Sequence, residues 1–190
     1  MKSAGRWIVA LLVGLVVLAG CGSPAGGDSS ASPSSDLLDR YGLASLTTAE
    51  IVEKLDQSPE TRPTKLAGSV RPDQLLLSEG DEQLALDMPD DQFYLSVAPY
   101  LTHTHDCFYH NTGSCQGELV NSQVHVTITT ADGIVIVNRD ATTYANGFIG
   151  FWVPTGSSGT ITVSQDGKSG TVPFATGDQD ATCITTLKLV

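Results

Sequence analysis

Between His103 and Cys115 the chain places His103, His105, Asp106, Cys107, His110 and Cys115, with Tyr100 and Tyr109 alongside. Three of its four histidines lie in this stretch. If 100–107 is extended, the two-residue period of a strand puts His103, His105 and Cys107 on one face. The turn formers Asn111, Thr112, Gly113 and Ser114 can then fold Cys115 back toward them. Cys183 lies far along the chain, on a segment where Cys183, Thr185, Leu187 and Leu189 share a face expected to point inward. It can meet the cluster only through the tertiary fold. Three thiols beside imidazoles form a soft donor set, which suits Cu(I) or Zn(II) and is ill-suited to Ca(II) or Mg(II). The spacing of Cys107 and Cys115 is wider than the cysteine spacing of structural zinc modules, so zinc is not specifically signalled.

Blander readings stand beside this one. A plain disulfide between Cys107 and Cys115 is the default in an exported protein and weighs about equally against metal binding. His125, in an alternating segment with no cysteine near it in sequence, reads as structural. Phe151 and Trp152 follow Phe148 at strand spacing and read as core. A nucleophilic Cys107–imidazole pair is disfavoured, because no local signature of a cysteine hydrolase is present and the other thiols would expose such a nucleophile to oxidation. Thiol–disulfide oxidoreductase chemistry lacks its C-x-x-C motif.

The compartment follows from the amino terminus. Lys2 and Arg6 precede a run from Trp7 to Ala19 that is apolar except for Gly14, and the small residues Ala19 and Gly20 precede Cys21. This is an export signal, shorter than the roughly 20 residues that span a hydrocarbon core. Leu18-Ala19-Gly20-Cys21 resembles a bacterial lipobox, in which the Cys21 thiol carries diacylglycerol; two acyl chains suffice for stable anchoring. The expected organisation is a signal over 1–20 and a flexible, Gly/Ser/Pro/Ala-rich tether over 21–35. The chain has 10 Lys and Arg against 21 Asp and Glu, a formal net charge of −11, and loss of Lys2 and Arg6 with the signal makes it about −13. Nucleic acid and anionic headgroups are therefore poor partners and the membrane is reached only through the lipid. Cations are better partners, although acidic surface also simply keeps an exported protein soluble. With Cys21 given to the lipid, three cysteines remain in an oxidising compartment. One must stay free, bridge two chains, or serve redox or metal chemistry.

Two regions must position these residues. In 36–95, Thr47 caps a helix, Glu50 reaches back from its third position and Leu46 staples onto Ile51; the helix runs to about Asp56. Pro59 and Pro63 end it, and extended pieces follow over 65–70, 74–77, 83–86 and 92–97. This small α+β region has few aromatics and needs a partner surface, either the rest of the chain or a second copy. From 96 to 190 the pattern is all-β. Extended runs over 124–130, 134–137, 148–153, 160–164, 170–174 and 182–189 are separated by turns at Asp132-Gly133, Asn146-Gly147 and Asp166-Gly167. The expected class is α+β: a small amino-terminal α+β region, then an antiparallel β-sandwich resembling the prealbumin-like Greek keys.

Several motifs occur in order: Val97-Ala98-Pro99-Tyr100, Thr102-His103 through Cys107, His110, Cys115-Gln116-Gly117-Glu118-Leu119, Asn146-Gly147-Phe148 through Trp152-Val153-Pro154, and Thr182-Cys183-Ile184-Thr185-Thr186-Leu187. Together they resemble the CueP family of periplasmic copper-resistance proteins over nearly all of the chain beyond the tether. The resemblance implies an extracytoplasmic copper binder that protects against copper, can reduce Cu(II) to Cu(I) with its thiols and can pass copper to secreted cuproenzymes. By it Cys107, Cys115 and Cys183 are the metal and redox thiols, with His103, His105 and His110 as auxiliary ligands. It also implies a homodimer joined through the amino-terminal region. One disulfide supplies two electrons, so reduction would be stoichiometric rather than enzymatic without an external reductant. The competing classes are a structural or adhesive surface lipoprotein with a disulfide, and a zinc-binding or thiol-redox protein.

Overall fold

The helix expected behind Thr47 forms for the expected reason. The computed structural model describes residues 33–190, so the signal and Cys21 lie outside the described residues. A first helix, α1 (Pro33–Arg40), was not foreseen; it begins within the stretch read as tether and buries Leu37. Arg40 at its end pairs with Glu79 at 3.1 Å and with Glu82. In α2 (Thr48–Asp56), the Thr47 hydroxyl accepts from Glu50 N–H at 3.3 Å while the Glu50 carboxylate accepts from Thr47 N–H at 2.8 Å. Two of the donors at the helix start that would otherwise be orphaned are thereby satisfied. Ile51 and Val52 are buried with Leu37 and Leu43.

Strands β1 (Ala67–Val70), β2 (Gln74–Glu79) and β3 (Glu82–Asp87) form an antiparallel meander. Its Val70, Leu75 and Leu77 complete the core around α1 and α2. Next come β4 (Gln92–Val97), β5 (Gln123–Thr130), β6 (Val135–Thr142), β7 (Ile149–Pro154), β8 (Ser158–Gln165), β9 (Lys168–Ala175) and the two-residue β10 (Cys183–Ile184). They make two sheets, ordered β10-β4-β7 and β6-β5-β8-β9. Phe93, Leu95 and Phe151 from the first sheet share one core with Val126, Ile128 and Ile161 from the second. The fold is thus α+β and rich in antiparallel sheet.

Strand β4 joins the two regions, because both of its faces are buried. Phe93, Leu95 and Val97 enter the core between the sheets, whereas Tyr94 enters the core of the helices and meander. Trp152 on β7 packs there too, its ring centroid 4.9 Å from that of Tyr94, and its indole N–H donates to Glu53 at 2.9 Å. The helices and meander thus pack on β4 and β7 of the same chain, and β4 runs across positions 95 and 96.

The last segment differs from expectation. Only Cys183–Ile184 is a strand, parallel to β4 through Cys183↔Ser96 and Ile184↔Val97. Ser96, Ala98 and Tyr100 N–H groups donate to Thr182, Ile184 and Leu187 at 2.8, 2.9 and 3.0 Å, so the last segment carries one extra residue between Ile184 and Leu187 and the regular ladder ends there. The inward face is nevertheless as read: Cys183, Thr185, Leu187 and Leu189 are all buried.

Candidate metal centre

Backbone pairing brings three distant segments together before any side chain chemistry is considered. Residues 110–112 lie beside β1: Val70 N–H donates to His110 at 2.8 Å and Thr112 N–H to Gly68 at 2.9 Å. On the other side, Cys183 N–H donates to the Phe108 carbonyl at 3.1 Å. The buried Thr182 hydroxyl clamps both, donating to Val70 O at 2.6 Å and accepting from His110 N–H at 3.0 Å. The turn expected at 111–114 forms. The Asn111 side chain accepts from Gly113 N–H at 3.0 Å, Cys115 N–H reaches Asn111 O at 2.9 Å, and Cys115 folds back.

All three sulfurs converge. Cys107 and Cys183 form a disulfide with Cα atoms 5.7 Å apart, and Cys115 is a free, buried thiol whose Sγ lies 3.5 Å from that of Cys107. The bridge between Cys107 and Cys115 that sequence allowed as default is therefore not the one formed. The cause is tertiary: the Cys183–Phe108 backbone bond seats Cys183 beside Cys107. Asn111 N–H points at the Cys115 sulfur at 3.4 Å.

Two of the expected histidines join the sulfurs. His105 with Cys107 and Cys115, and His110 with Cys115 and Cys183, each offer ligand atoms within 4.8 Å of one another. Cys115 belongs to both groups. His105 and Cys107 are half-buried while Asp106 is exposed, the alternation an extended segment requires. His103 does not follow it. Its side chain is 75% exposed and faces Glu118 at 3.4 Å, outside both groups. His125 sits on the sheet surface with its nitrogens 2.8 Å from Asp140 and 2.8 Å from Asn138. Phe148 floors the site, its ring 4.6 Å from that of His110 and 6.0 Å from that of His105.

The donor set fits a soft cation. Thiolate and imidazole are ligands for Cu(I), and a buried Nε2 of His105 with no hydrogen-bond partner is the kind of atom a metal would take up. A family model described as periplasmic copper-binding protein CueP matches residues 50–188. The chain belongs to the CueP family. A solved crystal structure of S.CueP is similar to it with 42% identity and a TM-score of 0.82, covering 84% of this chain and 99% of that one. Among curated proteins, none matches the chain. CueP membership makes the protein an extracytoplasmic copper binder, and every cysteine and histidine of the two groups lies within the matched segment.

In this CueP chain, His110 is fully buried and its Nε2 lies 2.8 Å from Asp56 Oδ1. Burial pushes the imidazolium down, but the Asp56 carboxylate, aided by the Cys115 sulfur, overrides it and holds His110 at about 9. Burial likewise opposes charge on Asp56, yet His110, Tyr94 and Asn146 keep its carboxyl below the usual range. In the sequence Asp56 marks only a helix end. Its one local signal was an acid at a helix C-terminus, where the macrodipole disfavours negative charge.

Glu118 was also missed. Its carboxylate accepts from the N–H groups of Leu101 at 2.7 Å, Thr102 at 2.9 Å and His103 at 3.3 Å, and from the Thr102 hydroxyl, so it pins the start of the segment bearing His105 and Cys107. The Thr102 hydroxyl and these N–H groups lower its pKa from 4.5 to about 2. A depressed folded pKa means that this stabilisation is present above pH 4.5 and is lost as pH falls through about 2. The stability gap between the natural chain and Glu118→Gln, measured by urea unfolding, should therefore shrink on acidification through that window. A gap independent of pH would refute the assignment.

Proposed function

We propose that the protein captures copper outside the cytoplasm and holds it as Cu(I) between Cys107, Cys115 and Cys183, with His105 and His110 as nitrogen donors. The observation that carries this reading is the meeting of three sulfurs from distant segments with two imidazoles, one group half-exposed and the other buried, sharing Cys115. The half-exposed His105–Cys107–Cys115 group is the entrance, the exposed His103 at its rim is an outer donor for arriving Cu(II), and the buried His110–Cys115–Cys183 group is the holding site.

Reduction follows the same sulfurs. Two Cu(II) ions each accept one electron as the thiols of Cys107 and Cys183 lose two protons and join, giving two Cu(I) and one disulfide. The Cys107–Cys183 bridge is the oxidised end of that step; an external dithiol resets it by exchange, and only then are both thiols free to hold Cu(I) with Cys115. The protein is then a stoichiometric reductant and carrier rather than an enzyme. Cys21 lipidation, pairing of two chains through the amino-terminal region and delivery to secreted cuproenzymes belong to the same reading. The two sheets sharing one core support a prealbumin-like sandwich as its scaffold.

One observation favours a second reading. The disulfide joins segments 76 residues apart in sequence, as a purely structural cross-link in a surface lipoprotein would. Adding Cu(II) and a Cu(I)-specific chelator to anaerobically reduced protein separates the two. The copper reading expects about two Cu(I) per chain, with mass spectrometry showing Cys107 joined to Cys183 and Cys115 still open to alkylation. Protein that generates and retains no Cu(I) and keeps its thiols unchanged by copper leaves only the structural reading.

A further inference from the structure

Asp56 is the last residue of α2 and is fully buried. A carboxylate there meets the negative end of the helix and sits out of water, two costs that only specific partners can offset. Its partners are complete. Oδ1 accepts from Asn146 Nδ2 at 2.7 Å and faces His110 Nε2 at 2.8 Å; Oδ2 accepts from the Tyr94 hydroxyl at 2.7 Å and the Ser96 hydroxyl at 3.3 Å. Arg62, buried, ties the same end of α2 to the cysteine loop, donating to Asp56 O at 3.1 Å and Thr112 O at 3.0 Å. With both carboxylate oxygens engaged, the group cannot rotate away from His110.

An ionised carboxylate only accepts, so His110 must keep a proton on Nε2 and give it to Asp56. Nδ1, whose proton an incoming cation displaces, is then the ring's ligand atom. Nδ1 is the nitrogen that faces the sulfurs, 3.9 Å from Cys183 Sγ. Histidines on metals commonly donate their other N–H to a carboxylate, which fixes the tautomer and raises ligand basicity. His105 has no such partner for its Nε2.

Resting on the copper reading above, we infer that Asp56 is a positioning residue that presents His110 to copper through Nδ1. A helix of the amino-terminal region thereby shapes a site whose ligands all come from the other region. Asp56→Asn keeps the shape but lets the amide face the ring, so that His110 can accept at Nε2 and turn a protonated Nδ1 toward the sulfurs.

The test is Cu(I) affinity of the fully reduced full-length chain, by competition with a chromogenic chelator, for the natural protein, Asp56→Asn, His110→Ala and the double variant. Asp56→Asn and His110→Ala should each cost roughly 10–100-fold, and the double variant no more than His110→Ala alone. A merely structural role for Asp56 would lower affinity further in the His110→Ala background, and that result would overturn the inference. So would natural affinity in Asp56→Asn beside a loss in His110→Ala. Should Asp56→Asn not fold, nitrogen-15 histidine spectra of the natural chain with Ag(I) standing in for Cu(I) decide: silver coupling at Nδ1 with a proton retained on Nε2 supports the inference, and coupling at Nε2 rejects it. A natural chain that takes up no Cu(I) would instead refute the copper reading itself.

Discussion

Replacing Cys115 with serine is expected to lower the Cu(I) affinity of the reduced protein on the order of a thousandfold, beyond the roughly 10–100-fold that losing an outer-shell partner brings. Cys115 is the one sulfur common to both ligand groups, so its loss leaves only His105 with Cys107 and His110 with Cys183. A serine hydroxyl does not compensate, because Cu(I) selects soft thiolate over hard oxygen. With the Cys107–Cys183 bridge closed the effect should be larger still, since Cys115 is then the only free thiol among the described residues. Chelator competition on reduced and oxidised samples measures both. His125→Ala is the control: its ring is already paired with Asp140 and Asn138 on the sheet surface, and affinity should stay within about twofold, as for sites that share no partners. An unchanged affinity in Cys115→Ser would remove the shared-sulfur arrangement from consideration.

The second large effect is on stability. Gly147 has φ +77°, a conformation side chains rarely adopt, and a Cβ there would lie 2.4 Å from the carbonyl oxygen of Gly117 and 2.6 Å from its carbonyl carbon. The obstacle is backbone, so no side chain can swing aside. Gly117 N–H in turn donates to Asn146 O at 2.6 Å, which fixes the two segments against each other. Gly147→Ala therefore combines backbone strain with overpacking and should cost about 3–5 kcal/mol. At about 2–4 °C per kcal/mol for a chain of this size, the midpoint of thermal unfolding falls by roughly 6–20 °C. A shift below about 2 °C by circular dichroism would show that the contact is relieved more easily than its geometry implies. The contact also matters to the site. Asn146 holds Asp56, and Glu118, next to Gly117, holds the segment leading to His105. Copper affinity should fall with stability in this variant.

Much of the local structure was legible because it is written in local patterns. Thr47 and Glu50 satisfy each other within one turn, so the start of α2 needs nothing from elsewhere. The 92–97 strand was read with the bounds of β4. Strand β6 was read short, since Asn138, Arg139 and Asp140 look like turn residues. They remain in the ladder because β6 is an edge strand paired with β5, and their side chains stay in water. Helix α1 is bounded by signals the sequence also carries, Pro33 at its first position and Gly42 at φ +60° just past its end, but it is too short and too polar for its apolar period to stand out.

By itself the sequence determined the chemistry: soft donors at close spacing, an odd cysteine in an oxidising compartment, strands whose faces alternate, and motifs that resemble one family. Only the tertiary structure decided which cysteine bonds to which, that His103 stands outside both ligand groups, and that Asp56 reaches His110. The physical reason is range. Facing and capping are set by neighbours a few residues away, whereas the two-residue parallel pairing of β10 with β4 and the seating of α2 against Tyr94 arise only when distant segments share a core, and there ångström differences choose the partner.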